Sequence, residues 1–418
     1  MFAQRGFAKE AGVKMRAKST RLFALVAVSI ILTSFAQPAF GQLQQCDPNH
    51  VFHYANFWLV LPTGTDDTTN LQCAFDHAVT VPSSTVLLGN GAYHTGQVVV
   101  FGFVGTFRGI GQNVTAIKTL DRPLRVTYWN WYDNPPTPES GSNPWPSVFA
   151  FVGGNITISD LSLYITENSW TTGWTFDWLY PTVVNELYSG FEVNGSAVTG
   201  KDYTKASAAL YRVRIQGSPH ADTLTGYNPL NAMYFEGLFG LLRGTLDVHG
   251  SQFQQTGGGP NAGGLYNSRV SIRHNRYTDS GEGMDVTALY HQTTFEFAEN
   301  QVTKVPNGIW FWGESFDSST VIVENNDFTA DVGINFDDSA SFSGKMVCQL
   351  LKNGLENVAD LGAYLGVGTK DCLVVCKSRN DTVMNMGTDN KLVGCQEVKA
   401  GRNLKAKSLL PKVLYGKP

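Results

Sequence analysis

Leu246-Asp247-Val248-His249-Gly250-Ser251-Gln252-Phe253 returns, changed but recognisable, as Val270-Ser271-Ile272-Arg273-His274-Asn275-Arg276-Tyr277. Phe295-Glu296-Phe297-Ala298-Glu299-Asn300-Gln301-Val302 follows, and then Val321-Ile322-Val323-Glu324-Asn325-Asn326-Asp327-Phe328. Cys348-Gln349-Leu350, with Asn353 and Leu355, extends the series. Each unit is an apolar-x-apolar triplet, two residues, Asn or Ser, one residue, and a further apolar side chain. The polar position advances by 24, 25, 26 and 27 residues. A second marker, a glycine ahead of another alternating stretch, falls at Gly258, Gly283, Gly308 and Gly333, then at Gly362 and Gly387.

Periods of this length signal stacked repeats. These units carry strand alternation and turn residues but no helical pattern, so helical repeats are excluded. Leucine-rich spacing is absent, and a propeller blade needs a longer, four-stranded unit. A parallel β-helix fits: in each coil, apolar residues at i and i+2 point inward and stack on those of the next coil. Each fully buried one contributes roughly 1.5–3 kcal/mol. The recurrent Asn is expected at a bend, bonding its equivalents above and below and tolerating left-handed backbone.

Toward the N-terminus, Gly64 to Val79 reads as a turn and an amphipathic helix, with Asp or Thr at its cap and Leu71, Phe75 and Val79 on one face. Thr85-Val86-Leu87-Leu88-Gly89 and Phe107-Arg108-Gly109-Ile110-Gly111-Gln112 follow. This order resembles the opening of pectin-lyase-like proteins, where such a helix plugs the first coil against edge-to-edge association. The resemblance covers most of the chain beyond its leader. It implies an all-β fold: a right-handed parallel β-helix, a single-stranded solenoid with an N-terminal capping helix. It does not choose among the lyases, hydrolases, epimerases, adhesins and phage tail proteins built that way.

Residues 1–41 read as a secretory signal: six basic residues and one acid before Leu22, an apolar run from Leu22 to Ala36, and Ala39-Phe40-Gly41. That run is too short to span a bilayer, and no later segment looks transmembrane. The β-helix domain is expected over 42–396, and a basic tail over 397–418. Between Gln42 and Glu397 there are 34 acidic residues against 19 basic. Such a body argues against nucleic acid as a partner and makes a polyanionic sugar unnatural unless Ca²⁺ bridges the two. The six cysteines lie beyond the leader, as disulfides in an exported chain would. Cys46 and Cys73 suit a staple on the leading segment, while spacing does not decide how Cys348, Cys372, Cys376 and Cys395 pair. Between about 125 and 203 the repeat is interrupted by a stretch holding six of the nine tryptophans, read as long loops around coil-like pieces at 148–151 and 156–163.

The glycine phase sorts residues by face. Met284 and Val286, Ile309 and Phe311, and Ile334 and Phe336 point in. Asp285 and Thr287, Trp310 and Trp312, and Asn335 and Asp337 point out, with Pro260 and Ala262 one coil earlier, Tyr234 and Glu236 two coils earlier, and Tyr364 one coil later. Aromatic rings beside Asp, Glu and Asn suit a sugar, whose C–H faces stack and whose hydroxyls need polar partners. The candidate catalytic residues are Asp285, Asp337 and Glu236; the candidate binding residues are Trp310, Trp312, Asn335 and Tyr234. Asp285 and Asp337 stand two coils, about 10 Å, apart, near the upper limit for an inverting carboxylate pair. Glu314 and Asp338 are further acids, and His291 and Lys304 further bases.

The expected function is binding, and cleavage by hydrolysis or elimination, of an extracellular polysaccharide, with no cofactor for a hydrolase and Ca²⁺ for a lyase. The alternative is a surface or matrix protein that only binds. Asp337-Asp338 is similar to the paired aspartates of polygalacturonases, but their His-Gly and Arg-x-Lys motifs are missing, as is the Arg-x-x-Pro-x-x-Arg pattern of pectate lyases. No P-loop, Gly-x-Ser-x-Gly or HExxH motif occurs.

Overall fold

The computed structural model describes residues 45–121, 128–130, 137–139, 147–166, 174–176, 180–184, 189–194, 196–197, 203–217, 231–236 and 241–399. The leader and residues 400–418 of the tail lie outside them. Among the described residues one helix, Thr68–Ala78, accompanies the strands.

A coil can be followed from Thr245–His249 through Gln252–Gln254 to Pro260–Tyr266, after which Arg269–Arg273 lies parallel on Thr245–His249. Repeating that path stacks Thr294–Ala298, Thr320–Glu324, Val347–Leu351 and Cys372–Val375 on the first strand in turn. The chain is a right-handed parallel β-helix. Its core is the inward half of each strand, with Phe295, Phe297, Phe311 and Phe336 fully enclosed. Phe311 and Phe336, from consecutive coils, stack at 4.1 Å.

The Asn column forms one continuous hydrogen-bonded ladder. The Oδ1 atoms of Asn275, Asn300, Asn326 and Asn353 accept the backbone N–H of Ser251, Asn275, Asn300 and Asn326 at 2.8–3.1 Å. Their Nδ2 groups donate to Val248, Ile272, Phe297 and Val323 carbonyls, each at 2.9 Å. The left-handed conformation belongs to the residue just before each Asn: His274, Glu299, Asn325 and Lys352 all have φ between 52° and 57°. The sequence reading gave that backbone to the Asn itself. The preceding residue reverses the chain, and the Asn amide then closes the corner.

The marker glycines are required by close approach. A Cβ on Gly283 or Gly308 would stand 2.1 or 2.3 Å from the next coil's carbonyl oxygen at Gly308 or Gly333. Gly259, not Gly258, heads this column, its Cβ position lying 2.1 Å from the Gly283 oxygen. The Gly257-Gly258-Gly259 run hid that one-residue slip, which exchanges the faces of the following strand. Ala262 therefore pairs with inward Val286, and Asn261 and Gly263 take the outward places assigned above to Pro260 and Ala262. Gly387 is outside the column, because Gly362 is followed there by Thr382.

At the N-terminal end, Phe75 of the helix meets the edges of Phe103, Phe107 and Phe151 at 5.1–5.6 Å. Asp67 precedes the helix without capping it; its carboxylate accepts Thr63 N–H at 2.7 Å and His94 N–H at 2.9 Å instead. Val51–Tyr54 folds back antiparallel on Phe57–Val60 and covers the first parallel edge. Disulfides join Cys46 to Cys73, Cys348 to Cys372 and Cys376 to Cys395. Within the tryptophan-rich stretch, Ser189–Asn194 is a coil strand between Ser147–Val152 and Asn231–Glu236, where the sequence reading had only loop. Tyr128–Asn130 with Thr137–Glu139, and Trp174–Phe176 with Tyr180–Val184, are antiparallel ribbons.

Candidate functional site

The outward rows assemble as the glycine phase requires from the third coil of the series onward. Tyr234, Asn261, Asp285, Trp310, Asn335 and Tyr364 occupy one row in successive coils. Glu236, Gly263, Thr287 and Trp312 occupy the row beside it. The side chains of Tyr234, Glu236 and Glu314 lie outside the described residues.

Trp310 and Trp312, two residues apart on one strand, stack with ring centroids 4.9 Å apart and planes inclined by 16°. Their N–H groups diverge. Trp312 Nε1 donates to Asp285 Oδ1 on the preceding coil. Trp310 Nε1 donates to Asp337 Oδ2 at 3.1 Å on the following side. The indole pair thus bridges the two aspartates that sequence placed two coils apart. Trp312 remains partly exposed, whereas Trp310 is buried.

The two aspartates are not equivalent. Asp337 Oδ1 accepts from Ser339 N–H at 2.8 Å, Ala340 N–H at 3.2 Å and the Ser339 hydroxyl. With Trp310 on Oδ2, this carboxylate closes its own turn. Asp285 Oδ2 lies 3.5 Å from Asn261 Nδ2, and the residue is half-buried. Asn335, expected to face a ligand, is 0% exposed, because its small side chain lies between Trp310 and Tyr364 in the row. It donates to Asn307 Oδ1 at 3.3 Å. Asp338 accepts the Tyr364 hydroxyl at 2.7 Å; burial, then that bond, pushes the phenol above its ordinary range.

His291 and Lys304 are not brought to this cluster. His291 sits at a corner with φ 44°, against the Tyr266 ring. Lys304 turns another corner and pairs with Asp279 at 3.4 Å.

Sequence reasoning missed Glu282. It is 3% exposed, sits opposite Asn307 in the next coil, and precedes a marker glycine as Asn307 does. Burial, and then the negative charge of Asp285, lift its carboxyl well above the usual range; the Asn307 amide, close by but outside hydrogen-bond geometry, opposes this only in part. Glu282 therefore holds its proton to higher pH than an ordinary carboxyl. A carboxyl raised in the folded state stabilises the protein below its unfolded value and loses that contribution as pH rises toward the folded one. Glu282→Gln should therefore abolish a loss of stability with rising pH of up to about 1.4 kcal/mol per unit above pH ~4.5. Melting curves of both proteins from acid to mildly alkaline pH test this; parallel curves would refute a raised Glu282 carboxyl.

Calcium needs several oxygens around one point. Among the described residues, only Cys46, Cys73 and His77 bring three possible metal ligands together, and two of those are joined in a disulfide. Asp285, Asp337 and Glu282 form no such group, so no step is derived through a metal.

No protein-family model matches the sequence, and no curated protein does. Among solved structures, an exopolygalacturonase from Thermotoga maritima is similar at 10% identity and TM-score 0.40, over 80% of this chain and 92% of that one. A family 28 exopolygalacturonase from Yersinia enterocolitica follows at 11% and 0.38, over 80% and 74%. A GH136 lacto-N-biosidase from Eubacterium ramulus stands at 10% and 0.35, over 76% of this chain. This chain spans 61% of that enzyme and 66% of the Agl-KA catalytic domain. These likenesses assign no activity.

Proposed function

We propose that this protein is exported, binds an extracellular polysaccharide on the face around Trp312, and hydrolyses it with Asp285 as base. One observation carries the reading: Asp285 is a half-buried carboxylate fixed by an indole N–H, beside an aromatic surface that is itself fastened at both ends. In this scheme Asp285 takes a proton from water, whose oxygen attacks the anomeric carbon. The glycosidic C–O bond breaks, and an acid protonates the departing oxygen. Glu236 is the candidate acid: its backbone lies two coils from the coil of Asp285 and in the row beside it, so the two side chains would have to reach toward each other to form an inverting pair. Export is supported by the leader and by three disulfides. No cofactor is invoked.

Binding without cleavage is the second reading. It is favoured by Asp337, whose carboxylate is occupied by its own turn and so is not the second group of a catalytic pair.

New reducing ends and unsaturated ends, measured together on a panel of polysaccharides, distinguish these. Reducing ends alone support hydrolysis; unsaturated ends would replace it with elimination; binding without either product supports the second reading. Trp312→Ala should weaken binding about tenfold or more, since it removes the accessible ring and the Asp285 partner. Unchanged binding would move the site elsewhere.

A further inference from the structure

We infer that the glycan held on this face is neutral rather than a polyuronate. The inference rests on the carbohydrate reading above and adds the substrate class. Its first ground is the hydrogen-bonding character of the groups left open. Asn261 Oδ1, Glu282 Oε1, Asn335 Oδ1 and Asn307 Nδ2 are buried and have no protein partner. They belong to residues at most 5% exposed in four consecutive coils, Asn261 and Asn335 in the outward row and Glu282 and Asn307 just ahead of the marker glycines. Buried polar atoms without partners are costly, so a run of them on one face marks a place completed by something other than the chain. Two of the four, Asn261 Oδ1 and Asn335 Oδ1, are amide carbonyl oxygens. Such atoms receive hydroxyl O–H groups and have nothing to offer a carboxylate, which needs donors.

The second ground is charge. Asp285, Asp337 and Asp338 bring three carboxylates to this face. The strands Pro260–Tyr266, Asp285–Tyr290, Asp327–Phe336 and Leu361–Leu365 contain no Lys or Arg. Lys304, on the long strand between them, is committed to Asp279 at a corner. A uronate on every sugar ring would therefore meet fixed negative charge that no Lys or Arg of these four strands compensates, in a partly buried setting where repulsion is weakly screened. Calcium could reconcile the two only at a cluster of oxygen ligands. The described carboxylates on this face gather into no group of three. A neutral chain matches both grounds: its hydroxyls supply the missing donors, and its C–H faces suit the stacked indoles.

The test is binding of the intact protein, by calorimetry, to neutral polysaccharides (a β-glucan, a xylan, a galactomannan) and to polyuronates (polygalacturonate, alginate). Each is measured in EDTA and again with added Ca²⁺. The expected result is a neutral member bound at least about tenfold tighter than either polyuronate under both conditions, with the gap narrowing as salt rises. A polyuronate bound as tightly as any neutral member in EDTA overturns the inference, as does tight polyuronate binding that appears only with Ca²⁺. In both cases the carbohydrate reading survives. Failure to bind any member overturns that reading and this inference with it.

Discussion

Asp285→Asn is expected to lower turnover about 10³-fold, the scale of a lost general base, while changing glycan affinity by no more than about threefold. The substitution keeps the shape of the side chain and an oxygen for Trp312 Nε1. The new amide nitrogen would face Asn261, whose Oδ1 has no partner and can turn to accept it. Binding surface and bridge are therefore preserved, and only the basic oxygen is removed. Rate and affinity are measured on the same polysaccharide, once the panel has named one. A variant that still turns over at a tenth of the parental rate would remove Asp285 from the chemistry. One that loses binding as well would make it a structural strut for Trp312.

Asn326→Ala should destabilise the protein by about 4 kcal/mol, a value set by how many buried groups it orphans. Asn326 accepts from the Asn300 N–H at 2.8 Å and from Asn300 Nδ2 at 3.0 Å. It donates to the Phe297 carbonyl and to Asn353 Oδ1, both at 2.9 Å. Alanine takes the side-chain partner from the buried Asn300 N–H and the Phe297 carbonyl, while Asn300 Nδ2 keeps the Ile272 carbonyl and Asn353 Oδ1 keeps the Asn326 N–H. Ser251→Ala, at the head of the same column, strands fewer groups. Its hydroxyl accepts Val213 N–H at 3.1 Å and donates weakly to His249, so about 1 kcal/mol is expected. The comparison is a shift in urea midpoint for the two variants. Equal shifts would mean that the ladder is a set of independent caps.

Most of this architecture was legible because its physics repeats. One Asn per coil and one glycine per coil fix both strand register and facing. Asp285, Trp310, Asn335 and Tyr364 could therefore be placed in one row from sequence, and they stand in one row. Register failed at Gly257-Gly258-Gly259, where three identical residues erase the phase, and at Gly387, which lies outside the column. Exposure was not legible, because it depends on neighbours a full coil away. Asn335 faces outward yet is covered between two aromatic side chains. Glu282 was missed for a related reason. The strand bends at the glycine column, so the residue before Gly283 shares a face with Asp285, contrary to simple alternation. The turn at Asp337 had a local signature, an Asp two residues before a Ser, of the kind whose carboxylate bonds the backbone ahead of it. Cys348 and Cys372 pair because they are opposite each other on adjacent coils, a relation that needs the register of the last coils, where the glycine marker has already lapsed.

The placement of the disulfides bears on how the rod comes apart. A solenoid has only nearest-neighbour interfaces, so its terminal coils have one neighbour instead of two and open first. Cys46–Cys73 closes one end, while Cys348–Cys372 and Cys376–Cys395 close the other. The Asn ladder occupies the span between. Peeling from a terminus, the easiest route for a protease or for a pulling force, is thus obstructed by covalent bonds at both ends. Reduction should leave the middle zipped but set the ends free to unwind, so that digestion of the reduced protein proceeds inward from both ends and halts longest at the coils between Ser251 and Asn353.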